Sequence, residues 1–234
     1  MTLIYIVITK KEKGGVFLRG KNRYLNISIA CLLLFIITAE LVKLGATHAV
    51  DLFIREIITD ASIILSFMKV MTEIGSSEAI LLVTILLLVW LWLMSERTLF
   101  WFFSLLSAGG VLLNFGLKLL YQRERPGEER EIEVFGSSLD LISYSFPSGH
   151  TMRSVILFLF VIYVTKCLTK KWIAELVFIV SIFLIISIPL SRVVLDVHYT
   201  SDIVAAIFIS ISWFYVCLFL FEKKFSNYGT KKTN

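Results

Sequence analysis

The chain has 234 residues, of which 57% are hydrophobic, 14% aromatic and only 18% charged, and its mean hydropathy is +0.84. That composition excludes an ordinary soluble domain and places the protein in the integral membrane class. The formal net charge of +5 does not point to nucleic acid, because a chain this apolar spends its lysines on membrane flanks; no nucleic-acid partner is expected.

The opening MTLIYIVIT is apolar, but its lysines follow it, whereas a secretory signal carries its charge ahead of the apolar core. It reads as an interfacial or loosely ordered part of a basic cytoplasmic segment, residues 1–23. A hydrocarbon core of about 30 Å takes about 20 apolar residues as helix. Six segments come close, at residues 24–44, 78–94, 98–121, 150–168, 172–190 and 201–221. The expected fold is therefore an all-α integral membrane protein, with a six-helix domain over residues 24–221 and a basic cytoplasmic tail over 222–234. Cys31, Cys167 and Cys217 lie inside apolar runs and read as small buried hydrophobes, with neither a disulfide framework nor a zinc site. Gly109, Gly110 and Gly116 in the third span are expected to allow close helix packing or a bend.

The connections sort by charge. Lys10, Lys11, Lys13, Arg19, Lys21 and Arg23 precede the first span, Arg97 follows the second, Lys166, Lys170 and Lys171 separate the fourth from the fifth, and four lysines close the chain. The positive-inside rule assigns all of these to the cytoplasm, and both termini with them. The loops at 45–77, 122–149 and 191–200 then face outward. The first of these contains HAVDLFIREIITDASIIL, whose apolar residues recur at helical spacing and predict an amphipathic helix lying on the outer face. The tract GEEREIEVFGSSLD reads as a solvated loop, long enough to cap a site.

Polar residues that near a bilayer are costly, yet SRVVLDVHYTSD places Arg192, His198 and Asp202 between two apolar runs. Two further clusters share its expected outer side. Lys118 ends the third span, with Arg125 before Pro126; Pro147, Ser148, Gly149 and His150 open the fourth. A helix start with a hydroxyl, a glycine and backbone N–H groups is an anion site. Guanidinium groups bind phosphate oxygens bidentately and lysine acts as a point charge, so Lys118, Arg125 and Arg192 suit a phosphoryl group. Two histidines suit two proton states, one neutral and nucleophilic, the other protonated to release the leaving oxygen. If the sixth helix has begun by then, the i, i+4 spacing puts His198 and Asp202 on one face. Asp202 marks His198 as the nucleophile and leaves His150 as the acid.

The set Lys118-x6-Arg125-Pro126, Pro147-Ser148-Gly149-His150 and Ser191-Arg192-x5-His198-x3-Asp202 resembles the three-part signature of the type 2 phosphatidic acid phosphatase superfamily, which also includes vanadium haloperoxidases. The resemblance spans residues 118–202. It implies an integral membrane phosphatase that needs no metal or other cofactor and works through a phosphohistidine. His198 is the implied nucleophile, His150 the general acid and Asp202 the orienter, with Lys118, Arg125, Ser148, Gly149 and Arg192 holding phosphate.

Other polar residues take plainer readings. His48 reads as a solvated surface histidine, and Glu40 and Lys43 as a snorkelling pair. Asp196 is expected to bridge within its own loop. Arg153 has two readings, a contact to the second phosphate of a diphosphate or a pair with Asp140. An outward site at the bilayer surface suits a lipid phosphate. By family analogy a compact chain of this kind is bacterial, where undecaprenyl diphosphate, phosphatidylglycerophosphate and phosphatidic acid are the candidates. An outward site in the plasma membrane favours the polyprenyl carrier. A soluble phosphate ester substrate, or phosphoryl transfer to another acceptor, is the alternative. An anion transporter is disfavoured because transporters gather charge near the midplane, and haloperoxidase chemistry because those enzymes are soluble. Nothing in the sequence assigns an oligomeric state.

Overall fold

The computed structural model describes residues 21–59, 64–126, 132–134, 137–139, 144–165 and 170–231. The opening MTLIYIVIT, Cys167, Asp140 and most of the tract expected to form a loop or cap lie outside the described residues.

Helix α1 spans Lys21–Lys43 and is followed by α2, His48–Thr59. The amphipathic pattern read from the first outer loop thus becomes α2, with Val50, Phe53 and Ile57 exposed on one side and Asp51 buried on the other. The rest of that loop is also helical, as α3, Leu65–Ile74, runs into α4, Ser77–Leu93, with a bend of 43°. The break has a local cause. Ser76 caps α4 by accepting from the Ala79 N–H at 3.1 Å, and a Cβ on Gly75 would stand 2.3 Å from Ile188. Helix α5 covers Arg97–Tyr121 and ends where Gln122 turns left-handed at φ +45°. Helices α6, Gly149–Thr165, α7, Lys171–Val194, and α8, Thr200–Lys231, complete the bundle.

Among the described residues four helices are long and apolar enough to cross a membrane, namely Asn22–Lys43, Arg97–Tyr121, Lys171–Val194 and Thr200–Phe221, and the bent α3–α4 pair makes a fifth if it counts as one span. Helix α6 is apolar but has only 17 residues, about 25 Å of helix. The protein is therefore a multi-pass membrane protein. By length alone its described helices support four or five spans, against the six expected. One further expectation changes in part. The tract between α5 and α6, read as a loop, contains a short antiparallel hairpin, β1, Ile132–Val134, and β2, Ser137–Leu139, paired with Ile132 opposite Leu139. Helix α8 runs on to Lys231, while its stretch apolar enough to cross a membrane ends at Phe221.

Exteriors of the spans are apolar, with Leu33, Leu81, Leu112 and Ile179 all more than half exposed. Small and polar groups point inward, as between α1 and α8, where the Ser28 and Ser212 hydroxyls meet at 3.1 Å. Close approach of helices is how membrane bundles gain packing, since lipid offers apolar surface no worse than leucine does. Two glycines act this way. A Cβ on Gly109 would lie 2.3 Å from the Trp213 ring, and one on Gly110 2.5 Å from Ile156; Gly116, by contrast, faces open space. Phe102, Phe103, Leu106, Phe160 and Phe214 form one core cluster. A second, with Phe35, Phe146, Met152 and Ala206, lies where α1, α6 and α8 meet below the polar end of the bundle.

Candidate active site

The end of α5, the start of α6, the α7–α8 turn and α2 converge at one end of the bundle. The α7–α8 turn is closed by backbone geometry. Asp196 is left-handed at φ +55°, which a short polar side chain tolerates. The N–H groups of Val197 and His198 then both donate to the Arg192 carbonyl, at 3.1 and 3.2 Å. This turn sends His198 back over the end of α7. Helix α8 begins two residues later, so His198 and Asp202 sit one turn apart and their Nδ1 and Oδ2 atoms lie 3.3 Å from each other.

Both groups are buried, His198 at 2% exposure and Asp202 at 0%. Burial is the main influence on His198; together with the positive charges of Arg125 and Lys118, and against the pull of Asp202, it lowers the imidazole to about 4. A histidine so placed is neutral at pH 7, with Nδ1 facing a carboxylate and Nε2 left for chemistry.

At the start of α6, Ser148 is fully buried. Its hydroxyl accepts from the Thr151 hydroxyl at 3.0 Å, and its N–H donates to the Asp202 carbonyl at 3.3 Å. This hydrogen bond joins the α6 start to the α8 start. Asn114 of α5 donates to the Pro147 carbonyl at 3.1 Å, and its Oδ1 would lie 3.0 Å from a Cβ on Gly149. A side chain there would press on Asn114.

The cations gather around these groups. Lys118 donates to the Tyr144 carbonyl and is within electrostatic reach of Arg125, Asp202 and Arg153. His150 is within reach of Arg192, Arg153, His198 and Arg125. Arg192 donates to the Thr72 hydroxyl of α3. All eight residues singled out in the sequence, Lys118, Arg125, Ser148, Gly149, His150, Arg192, His198 and Asp202, therefore share one end of the bundle. Among the described residues no group of three or more His, Cys, Asp or Glu side chains is disposed to hold a metal ion.

The model of the PAP2 superfamily matches residues 97–226, more than half of the 234-residue chain. This chain belongs to the PAP2 superfamily. The crystal structure of a transmembrane PAP2-type phosphatidylglycerolphosphate phosphatase from Bacillus subtilis has the same fold, with a TM-score of 0.70 over 84% of this chain and 96% of that one, at 22% identity. No curated protein matches the sequence.

Several residues at this end of the bundle were not singled out by spacing. Arg123 donates from Nη1 to Asp202 Oδ1 at 2.6 Å and from Nη2 to Asp51 Oδ2 at 2.9 Å. Asp51 comes from α2, 151 positions before Asp202 in the chain, a separation that no local spacing rule spans. Asp196 pairs not within its loop but with Arg55 of α2, through hydrogen bonds of 2.6 and 2.5 Å. Arg153 donates to the Ser77 hydroxyl at 2.8 Å, its Nε is buried without a partner, and its Nη1 would lie 3.5 Å from a Cβ on Gly149. Glu40 and Lys43, expected as a snorkelling pair, form no ion pair with each other; with Tyr121 and Arg123 they line a cleft of about 450 Å³. His48 is exposed, as expected for a surface histidine.

Proposed function

We propose that this protein is a membrane phosphatase that removes phosphate from a lipid phosphate or diphosphate by way of a phosphohistidine. The observation that carries this reading is the buried, neutral His198 paired to Asp202 and ringed by Lys118, Arg125, Arg192 and His150. Uncatalysed phosphate monoester hydrolysis is slow enough for enzymes to accelerate it by up to about 10²¹-fold, so covalent and electrostatic catalysis must act together.

His198 Nε2 attacks phosphorus, forming the N–P bond as the P–O bond to the leaving group breaks. His150 protonates that oxygen. The cations, with the Ser148 hydroxyl and the backbone at Gly149, neutralise the equatorial oxygens. Water then displaces phosphate and regenerates His198, with His150 taking the water proton. Fixed guanidinium and ammonium groups fill the electrophilic role that a divalent ion fills elsewhere, so catalysis proceeds without a metal. Arg153 stands one helical turn beyond His150, beside Gly149. A guanidinium there favours a leaving group that is itself charged, which supports a diphosphate such as undecaprenyl diphosphate over the monoesters phosphatidylglycerophosphate and phosphatidic acid.

A panel of these three lipids and water-soluble phosphate esters, assayed on purified protein in excess chelator, tests the reading. The expected order places the diphosphate first and the soluble esters last. Turnover confined to soluble esters would transfer the assignment to the alternative, and activity restored only by a divalent ion would overturn the metal-free mechanism.

The charge asymmetry of the loops supports an outward site in the plasma membrane with both termini cytoplasmic. With Cys31, Cys167 and Cys217 replaced, a Ser138→Cys protein should react with an impermeant maleimide on intact cells. Labelling only after lysis would reverse the orientation and remove the case for an outer-leaflet lipid.

A further inference from the structure

Asp202 is held from two sides. Its Oδ2 faces His198 Nδ1 at 3.3 Å and accepts from the Tyr199 N–H at 3.0 Å, while Oδ1 accepts from Arg123 at 2.6 Å. The carboxylate therefore cannot rotate without breaking a charged hydrogen bond. Arg123 also packs over the Tyr199 ring, 4.2 Å from its centroid, and is only 16% exposed. Beyond Arg123 stands Asp51, 2% exposed, which accepts from the Ser201 N–H at 2.9 Å and the Ser201 hydroxyl at 2.6 Å. Asp51 thus satisfies one backbone donor and one hydroxyl in the first turn of α8, the turn that carries Asp202. Helix α2 also grips the preceding α7–α8 turn through Arg55 and Asp196.

We propose that Arg123 and Asp51 are positioning residues that set the orientation and proton affinity of His198 through Asp202. This rests on the reading of His198 as the nucleophile. Charge alternates along the line from imidazole to carboxylate, guanidinium and second carboxylate, in a site where interactions are stronger than in water. Arg123 draws the charge of Asp202 away from His198 and lowers its basicity. Asp51 pulls Arg123 back and restores part of that basicity. Removing the two therefore has opposite consequences. A chain of ion pairs that merely fastened α2 to α8 would instead weaken the fold in both cases and leave the titration of His198 unmoved.

The other charged groups around His198 stay in place in every variant: Lys118 at the end of α5, Arg125 just beyond it, His150 on α6 and Asp202 on α8, with Arg192 of α7 acting on His150. His198 must be neutral to attack, so kcat/KM rises as pH climbs through its titration and falls on the acid side. The test is the pH profile of kcat/KM for an aryl phosphate with the full-length protein in detergent. Arg123→Gln should move the acid limb up by roughly one pH unit, and Asp51→Asn should move it down by a smaller amount. Arg123→Lys keeps the charge but not the two-pronged geometry, so it should return the limb close to its original position while kcat stays reduced. Limbs that coincide in all proteins, or that move the same way for Arg123→Gln and Asp51→Asn, would overturn the proposal. If Arg123→Gln does not fold, Asp51→Asn and Arg123→Lys decide alone, and an unmoved limb in Asp51→Asn sinks it. A wild-type protein without phosphatase activity defeats the proposed function itself, an outcome distinct from active enzymes with unshifted profiles.

Discussion

At one end of the bundle the fully enclosed positions are taken by Ser148, Thr151, Ser191, Asp202 and the nearly enclosed His198, whereas along the α5–α6–α8 contact the same depth is filled by Phe102, Phe103, Leu106 and Phe160. The first region encloses polar groups, and nearly every one has a named partner: Asp202 alone accepts from Arg123 and the Tyr199 N–H and meets His198. Buried polar atoms are tolerable only on those terms. In the second region Phe103 stacks on Phe160 at 4.1 Å between centroids, and glycine lets the helices meet. The polar end depends on orientation, because each hydrogen bond has an angle and a partner. The apolar region depends on volume. Damage should separate accordingly, with chemistry failing at one and stability at the other.

The largest effect is expected at the polar end. His198→Ala removes the atom proposed to form the bond to phosphorus, so turnover of every substrate should fall by roughly 10⁴-fold or more. His150→Ala removes only the proposed proton donor. It should cost roughly 10²- to 10⁴-fold with a lipid phosphate, yet spare an activated aryl phosphate whose leaving group departs without a proton. Alkaline quenching during turnover should trap acid-labile phosphate on the peptide containing His198. Thermal unfolding in detergent should change little in either variant if the division between regions holds. Phosphate found on His150 instead would reverse the two roles.

The polar end was also the more legible of the two in the sequence, though only its inner layer. Lys118, Arg125, His150, Arg192, His198 and Asp202 stand out because a charged or titratable residue beside an apolar run has few inexpensive explanations. Spacing then connects those that share a turn or a helix, as it does His198 with Asp202. It does not connect Arg123 with Asp51, whose pairing depends on how α2 lies against the start of α8. The same limit applies to Asp196, which is next to the loop residues in sequence but bound to Arg55 of α2 in space. The helices themselves followed hydropathy closely, since apolar runs in lipid have few other ways to satisfy their backbone. Counting spans was less secure. The α3–α4 break at Gly75 divides what hydropathy reads as an outer loop and a span, because a helix that bends past Ile188 needs a residue without a side chain there.

The smallest expected effects lie in the apolar region, where two glycines of one helix make a matched pair. Sequence alone treated Gly109 and Gly116 alike, as residues that let α5 pack closely. In the structure a Cβ on Gly109 would stand 2.3 Å from the Trp213 ring, whereas one on Gly116 meets nothing within 4 Å. Trp213 has little freedom to retreat, because its Nε1–H donates to the Leu106 carbonyl at 3.1 Å. Gly109→Ala should therefore destabilise the protein by about 1–3 kcal/mol, the usual range for overpacking a filled interior. Gly116→Ala carries no such penalty and gains helix propensity, so it should be neutral or stabilising by up to about 1 kcal/mol. Both should keep the wild-type kcat/KM for an aryl phosphate at temperatures where they stay folded, since neither position touches the polar end. Melting curves in one detergent, read beside that activity, separate the outcomes. Equal melting temperatures for the two variants would mean that α5 is not pressed against Trp213, and a loss of activity in folded Gly109→Ala would mean that the two regions are not independent.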